Sequence, residues 1–238
     1  MTLTMPERGL DDAAAFARLG RPDAVLFDWD HTLVDAWGAI LAAYNDVMIA
    51  YGKPPALTPE EGRLRIRRSM RDTFPEIFGD RWQEAALRFK AAYAARHLET
   101  VVAMEGAADL LDLLAGQGIP LGVVSNKQGP FLRAEVAHLG WGERFGALLG
   151  AGDAARDKPD AAPVIKALAT VGREAGPNVW FVGDALVDMD CARAAGCTGI
   201  LLVHDGTSLD EGVLTRADLR VVDCRHLHDL VTSAMGLT

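Results

Sequence analysis

Four short stretches are apolar without alternation, and each ends on Asp, Ser, Asn or Gly: "AVLFDWD" (24–30), "IPLGVVSN" (119–126), "VWFVGD" (179–184) and "GILLVHDG" (199–206). A strand with one wet face alternates apolar and polar residues, so an unbroken apolar run implies cover on both faces, as in a parallel sheet flanked by helices. "LRVVDC" (219–224) reads as a weaker strand, and "FGALLGAGD" (145–153) holds another. Helical patterns fill the spaces between them. The fold class expected is therefore α/β, a Rossmann-like doubly wound, mostly parallel sheet. Ligands of such sheets sit beyond the carboxyl ends of the strands. Asp28, Asp30, Ser125 and Asp184 all fall there.

One segment breaks this rhythm. About ninety residues separate the first two runs and read as helix throughout, where an ordinary crossover needs a single helix. Trp37, Ile40, Leu41, Tyr44, Val47, Met48 and Tyr51 step by three and four into one apolar stripe. "TPEE" (58–61) offers Thr58 as an N-cap with Pro59 and Glu61 completing the signature, and "DRWQ" (80–83) repeats it before Trp82, Ala86, Phe89 and Tyr93. The expected organisation is a core of residues 1–35 plus 103–238, with residues 1–20 as an N-terminal extension. An all-helical cap is inserted at 36–102.

The chain has 238 residues, half of them hydrophobic, enough for a large core. Its 24 basic and 33 acidic residues leave a net charge of −9. That balance argues against nucleic acid or an anionic membrane as partner, since both are held chiefly by Lys and Arg. A small acidic substrate needs only one local basic pocket. Three cysteines, an odd number without zinc-like spacing, fit free thiols in a reducing compartment. No apolar run approaches the ~18 residues of a membrane span, and the N-terminal stretch has no leader pattern. A cytoplasmic monomer or homodimer is the expectation.

Four motifs carry the chemistry. Asp28-Trp-Asp30-His-Thr32 places two carboxylates one residue apart at a strand end, where the chain can curl and bring both to one spot. There one can attack phosphorus while the other moves a proton. Ser125 in "VVSNK" offers a hydroxyl and neighbouring backbone N–H groups to an anion. Lys158 in "RDKPDAAP" is a point charge suited to a phosphoryl oxygen, at the start of a helical run. "VGDALVDMD" (182–190) ends a strand in Asp184, with Asp188 four residues on, and such hard oxygens suit Mg²⁺. Singly, each motif reads more readily as a turn or helix cap. Together, in this order and at these junctions, they read as nucleophile, hydroxyl, cation and metal ligand.

This set, with DxDxT first and GDxxxD last, resembles the haloacid dehalogenase-like superfamily over about residues 23–225. The insert is similar to the C1 helical cap of subfamily I, and "VVSNK" with "DKPDAAP" looks closest to phosphoglycolate-phosphatase-like members. The resemblance implies Asp28 as the nucleophile forming an aspartyl-phosphate, and Asp30 as the acid that protonates the leaving alcohol and then activates water. It implies Mg²⁺ held by the Asp28 carboxylate, the Asp30 carbonyl and Asp184, with Asp188 in support. Thr32, Ser125, Asn126 and Lys158 would grip the phosphoryl group. His31 stands where the family usually has Gly or another small or amide residue, Glu105-Gly106 replaces a common Pro-Gly, and Ala161 replaces a common Pro.

Asp30 argues against dehalogenation, because halide leaves without a proton. The expected activity is hydrolysis of a small phosphate monoester, with phosphoglycolate or a similar acidic metabolite favoured. A phosphomutase of the β-phosphoglucomutase type and a non-catalytic phosphate-binding or partner-binding protein are the alternatives. The run "RLRIRRSMR" (63–71) is the most basic in the chain. It reads as a solvated face paired with Glu60, Glu61 and Asp72, or as the place where Arg65 or Arg68 reads a substrate's second anionic group.

Overall fold

The computed structural model describes residues 16, 18–56, 58, 61, 70–203 and 215–236. Six parallel strands form one sheet in the order β5-β4-β1-β6-β7-β8: β1 (Ala24–Phe27), β4 (Leu121–Gln128), β5 (Ala147–Ala151), β6 (Val179–Gly183), β7 (Thr198–Leu202) and β8 (Leu219–Val221). All six overlap the stretches that read as strands, β4 running two residues past its stretch and β7 starting one residue early, and the doubly wound α/β fold is what the chain adopts. β1 sits at the centre, in register with Val123 of β4 and Val182 of β6 at Phe27.

The physical reason for unbroken apolar runs is visible in β1, whose four residues are all fully buried. Val25 and Phe27 pack into a cluster on one face with Leu110, Leu111, Leu132 and Trp180. Ala24 and Leu26 pack into a second cluster on the other face with Val124, Val164, Leu168 and Phe181. Period-two geometry sends neighbouring side chains to opposite faces, and helices cover both.

Between β1 and β4 the chain builds α1 (Trp37–Ala50), α2 (Met70–Phe78), α3 (Trp82–Ala94) and the short α4 (His97–Thr100). Tyr44, Val47, Met48, Phe74, Phe78, Ala85 and Ala86 form a core separate from those of the sheet. The stripe on α1 supplies part of it, as its spacing requires. The chain enters and leaves these helices through a two-stranded antiparallel ribbon, β2 (Val34–Asp35) with β3 (Val102–Ala103). Two residues a side is too short for any periodicity to register. Gly106, just after the ribbon, has φ +77, and a Cβ there would meet the Arg225 backbone nitrogen at 2.8 Å. The Glu105-Gly106 step thus keeps the glycine that the turn demands.

Of the two capping expectations, the described residues show one hydrogen bond of the first and overturn the second. The Glu61 amide donates to Thr58 Oγ1 at 3.2 Å. Asp80, expected to cap the following helix, instead lies inside a 3₁₀ turn (Gly79–Arg81); α3 begins at Trp82 after Arg81 with no side-chain cap. Arg81 reaches Glu84 at 3.1 Å instead, so the end is held by an ion pair. The remaining core helices are α5 (Ala107–Gly116), α6 (Gly129–His138), α7 (Ala162–Thr170), α8 (Leu186–Ala194) and α9 (Cys224–Ala234). Cys191, Cys197 and Cys224 are buried free thiols.

Candidate active site at the strand ends

Three central strands aim their carboxyl ends at one point. The Asp28 amide still donates to Val182 of β6 at 2.8 Å, so the residue continues the sheet and its carboxylate stands at the rim. The chain then curls: the amides of Thr32, Leu33 and Val34 all converge on the Trp29 carbonyl, at 3.4, 3.0 and 3.1 Å. The curl needs a left-handed residue, and His31 takes it with φ +64. This explains in physical terms why glycine is the ordinary choice at that position and why a side chain there carries strain.

β6 ends at Gly183, followed by Asp184. A Cβ on Gly183 would come within 2.5 Å of the Asp188 side chain, so the glycine is what lets the first turn of α8 fold back onto the strand end. Asp28, Asp184 and Asp188 each present a carboxylate oxygen, all within 4.8 Å of one another. Lys158 stands among them, its Nζ donating to Asp28 Oδ1 and Asp188 Oδ1 at 2.6 Å each.

The electrostatics follow from this crowding. Burial, then the charges of Asp188 and Asp28, push the Asp184 carboxyl well above the usual carboxylate range. Burial also pushes Asp188 up to about 6, although Lys158 pulls the other way. Burial would lower the Lys158 ammonium, but Asp188 and Asp28 outweigh it and drive it above its ordinary value, so it stays charged. With all three carboxylates ionised, the one ammonium leaves two negative charges uncompensated, the charge of one divalent cation. The donor set is all hard oxygen, which suits Mg²⁺. Both Asp188 oxygens are engaged, one by Lys158 and the other by the Ala185 amide at 3.0 Å.

The remaining expected residues divide. The Thr32 hydroxyl is fully buried and has no hydrogen-bond partner among the described residues. Ser125 Oγ accepts from the Lys127 amide at 3.1 Å, a local turn beside the site. Asn126, expected on the phosphoryl group, spends its side chain on Lys158: Oδ1 accepts from the Lys158 amide at 3.0 Å and Nδ2 donates to its carbonyl at 3.2 Å. It thereby fixes the loop that delivers the lysine. Arg65 and Arg68 lie outside the described residues. From the same basic run, Arg71 reaches Asp157 at 3.6 Å and lines a groove of about 790 Å³ together with Arg156, Lys158 and Asp160.

Asp30 is half-buried, its Oδ1 2.7 Å from Lys127 Nζ. Burial, with Glu135 and Asp28 adding to it, pushes its carboxyl up to about 6 against the pull of Lys127. Lys127 and Glu135 were not singled out in the sequence. Glu135 had one readable signal: it shares a helical stripe with Leu132, Val136 and Leu139, an acidic residue on an apolar face.

A family model described as haloacid dehalogenase-like hydrolase matches residues 25–202. A protein named phosphoglycolate phosphatase from Pectobacterium atrosepticum is 32% identical over 188 residues, 75% of this chain and 79% of that protein. Phosphoglycolate phosphatase 1 of Pseudomonas aeruginosa is 29% identical over 222 residues, covering 90% and 80%. Among solved structures, a HAD-superfamily hydrolase of Ehrlichia chaffeensis superposes with a TM-score of 0.62 at 25% identity, over 91% of this chain and 98% of that one. A haloacid dehalogenase-like family protein of Streptococcus pneumoniae does so with a TM-score of 0.76 at 22% identity, over 87% and 97%. The match spans all four motifs and the insert between the first two, and the chain belongs to the haloacid dehalogenase-like hydrolases.

Proposed function

We propose that this hydrolase is a Mg²⁺-dependent phosphatase acting on a small phosphate monoester through an aspartyl-phosphate on Asp28. The observation that carries the reading is the convergence of Asp28, Asp184, Asp188 and Lys158 at one rim of the sheet. Asp28, Asp184 and the Asp30 carbonyl would hold the ion, with Asp188 behind them. When bound, Mg²⁺ neutralises charge on the phosphoryl oxygens and on the carboxylates around it.

An oxygen of the Asp28 carboxylate attacks phosphorus as the bond to the ester oxygen breaks. Asp30 gives its proton to the departing alkoxide, and a carboxyl pushed up to about 6 holds one often enough near neutral pH. In the second half Asp30, now ionised, takes a proton from water as that water attacks the phosphorus. Inorganic phosphate leaves and the Asp28 carboxylate is restored. Lys158 supplies positive charge to the phosphoryl oxygens, aligned by Asn126, and the orphaned Thr32 hydroxyl and the Ser125 turn complete the cradle.

Residues 36–102 act as a cap that closes over this site and sets specificity. The names of the two curated relatives support phosphoglycolate or a similar acidic ester as substrate. Arg65 or Arg68 would read the second anionic group. We further read the enzyme as cytoplasmic, consistent with its three free thiols; no helix among the described residues is long and apolar enough to cross a membrane.

The test is a panel of phosphate esters, acidic, sugar and nucleotide, assayed with Mg²⁺ and with EDTA and compared by kcat/KM. Acid-quenched protein is analysed in parallel for a phosphate mass increment on the peptide carrying Asp28. Turnover that persists in EDTA, or a phosphorylated residue other than Asp28, overturns the mechanism; preference for a neutral sugar phosphate overturns the substrate class.

A further inference from the structure

Glu135 is completely buried on α6, and its carboxylate takes four contacts. Trp29 Nε1 donates to Oε2 at 2.7 Å and Lys127 Nζ to the same oxygen at 2.6 Å. Tyr93 Oη donates to Oε1 at 2.6 Å, and His97 Nδ1 lies 2.8 Å from it. Two of these partners belong to the core and two to the inserted helices: Tyr93 on α3 and His97 on α4.

Lys127 continues the chain toward the chemistry. Its ammonium donates to Glu135 Oε2 and Tyr93 Oη, at 2.6 Å each, and is ion-paired with Asp30 Oδ1 at 2.7 Å. The lysine is almost wholly buried, its side chain 4% exposed. Two of its three protons are spent on Glu135 and Tyr93, and this holds its charge against the carboxylate of Asp30. An unbroken path runs from the inserted helices through Tyr93 and Glu135 to Lys127 and the carboxylate of Asp30.

We propose that Lys127 and Glu135 are positioning residues for Asp30: Glu135 aims the Lys127 ammonium, Lys127 fixes the carboxyl that meets the leaving oxygen, and Tyr93 and His97 tie that alignment to the seating of the inserted helices. The inference rests on the reading of Asp30 as the general acid. Proton delivery then depends on contacts made by a segment that touches none of the reacting atoms. An insert displaced from the core withdraws two of the four contacts on Glu135, and with them the aim of the lysine.

Leaving-group dependence separates this role from a structural one. An alkyl phosphate needs a proton on its departing oxygen, whereas p-nitrophenolate leaves without one. In Lys127→Met, kcat/KM, which covers only the steps up to release of the alcohol and so leaves out the water attack common to both esters, is expected to fall by about 10²-fold for an alkyl ester and by less than about threefold for p-nitrophenyl phosphate. Tyr93→Phe keeps the ring and breaks two links of the path, and is expected to lower the alkyl rate by roughly three- to tenfold with the same selectivity and an unchanged KM. Restoring charge in Lys127→Arg recovers part of the alkyl rate. Equal losses of kcat/KM on both esters, or an alkyl kcat/KM within about twofold of wild type in Tyr93→Phe, overturn the proposal. Should Lys127→Met fail to fold, the Tyr93→Phe ratio decides alone. A wild-type protein that hydrolyses neither ester with Mg²⁺ removes the phosphatase reading and this inference with it; a wild type that hydrolyses both, with variant ratios unchanged, removes only the inference.

Discussion

Asp188 and Glu135 are both completely buried carboxylates, and each accepts from a lysine Nζ at 2.6 Å. Their protonation behaviour is opposite. Burial pushes Asp188 up to about 6 despite Lys158. Burial pushes Glu135 in the same direction, yet the charge of Lys127 and hydrogen bonds from Lys127, Tyr93 and Trp29 hold it below the ordinary value. The difference lies in the neighbours. Asp188 has one further donor and two carboxylates beside it, Asp28 and Asp184. Glu135 has three further contacts and one acidic neighbour that is itself half-titrated near pH 6. A buried carboxylate with its lone pairs satisfied is a fixture; one crowded by others waits for a cation.

That contrast can be broken at several points. The largest effect expected is on turnover: Asp28→Asn removes the attacking oxygen and should lower kcat by at least about 10⁴-fold, measured under saturating ester and Mg²⁺. Next comes the fixture. Glu135→Gln should destabilise the protein by about 3–5 kcal/mol in urea unfolding, because it leaves the buried Lys127 ammonium short of its counter-charge. Mg²⁺ at a hundred times its dissociation constant should add about 2.7 kcal/mol and raise Tm by roughly 5–10 °C, with no such rise in Asp184→Asn. In EDTA, Asp184→Asn itself should stabilise by about 1–2 kcal/mol, since it removes a carboxyl whose ionised form burial and its acidic neighbours disfavour. The same acid-to-amide change would thus carry opposite signs in the two clusters. Equal signs would dissolve the comparison.

The remaining effect is on pH. Asp30 and Asp188 have folded values of about 6 against an ordinary 3.8. The folded state therefore holds more protons between those values, and stability in EDTA should fall as pH rises through that window. Glu135, with its lowered carboxyl, acts in the opposite sense and loses stability as pH falls. The net gain on moving from pH 7 to pH 5 should be about 2 kcal/mol, read from urea midpoints, and should shrink when Mg²⁺ is bound. A steady loss over that range would mean the metal-site carboxylates are better compensated than their spacing implies.

The sheet was legible because burial on both faces leaves a local trace, an apolar run closed by a polar residue. The four motifs were legible because each sits within a few residues of its strand end. Asn126 was read as a phosphate ligand, and only the loop carrying Lys158, 32 residues on, gives its amide another partner. Asp80 carried a cap signature, but a 3₁₀ turn and the Arg81–Glu84 pair prevailed there. The ribbon of Val34–Asp35 and Val102–Ala103 left no pattern, since its pairing joins residues about seventy apart.

Residue order along the chain settled which groups stand at the rim of the sheet, because strand period and strand ends are local consequences of side-chain chemistry. It could not settle how those groups share charge. Asp30, Lys127, Glu135, Tyr93 and His97 come from five separate elements or loops, and their coupling exists only once packing removes water and sets them 2.6 to 2.8 Å apart. Charge interactions of this kind depend on distance and burial, and both are products of the folded chain.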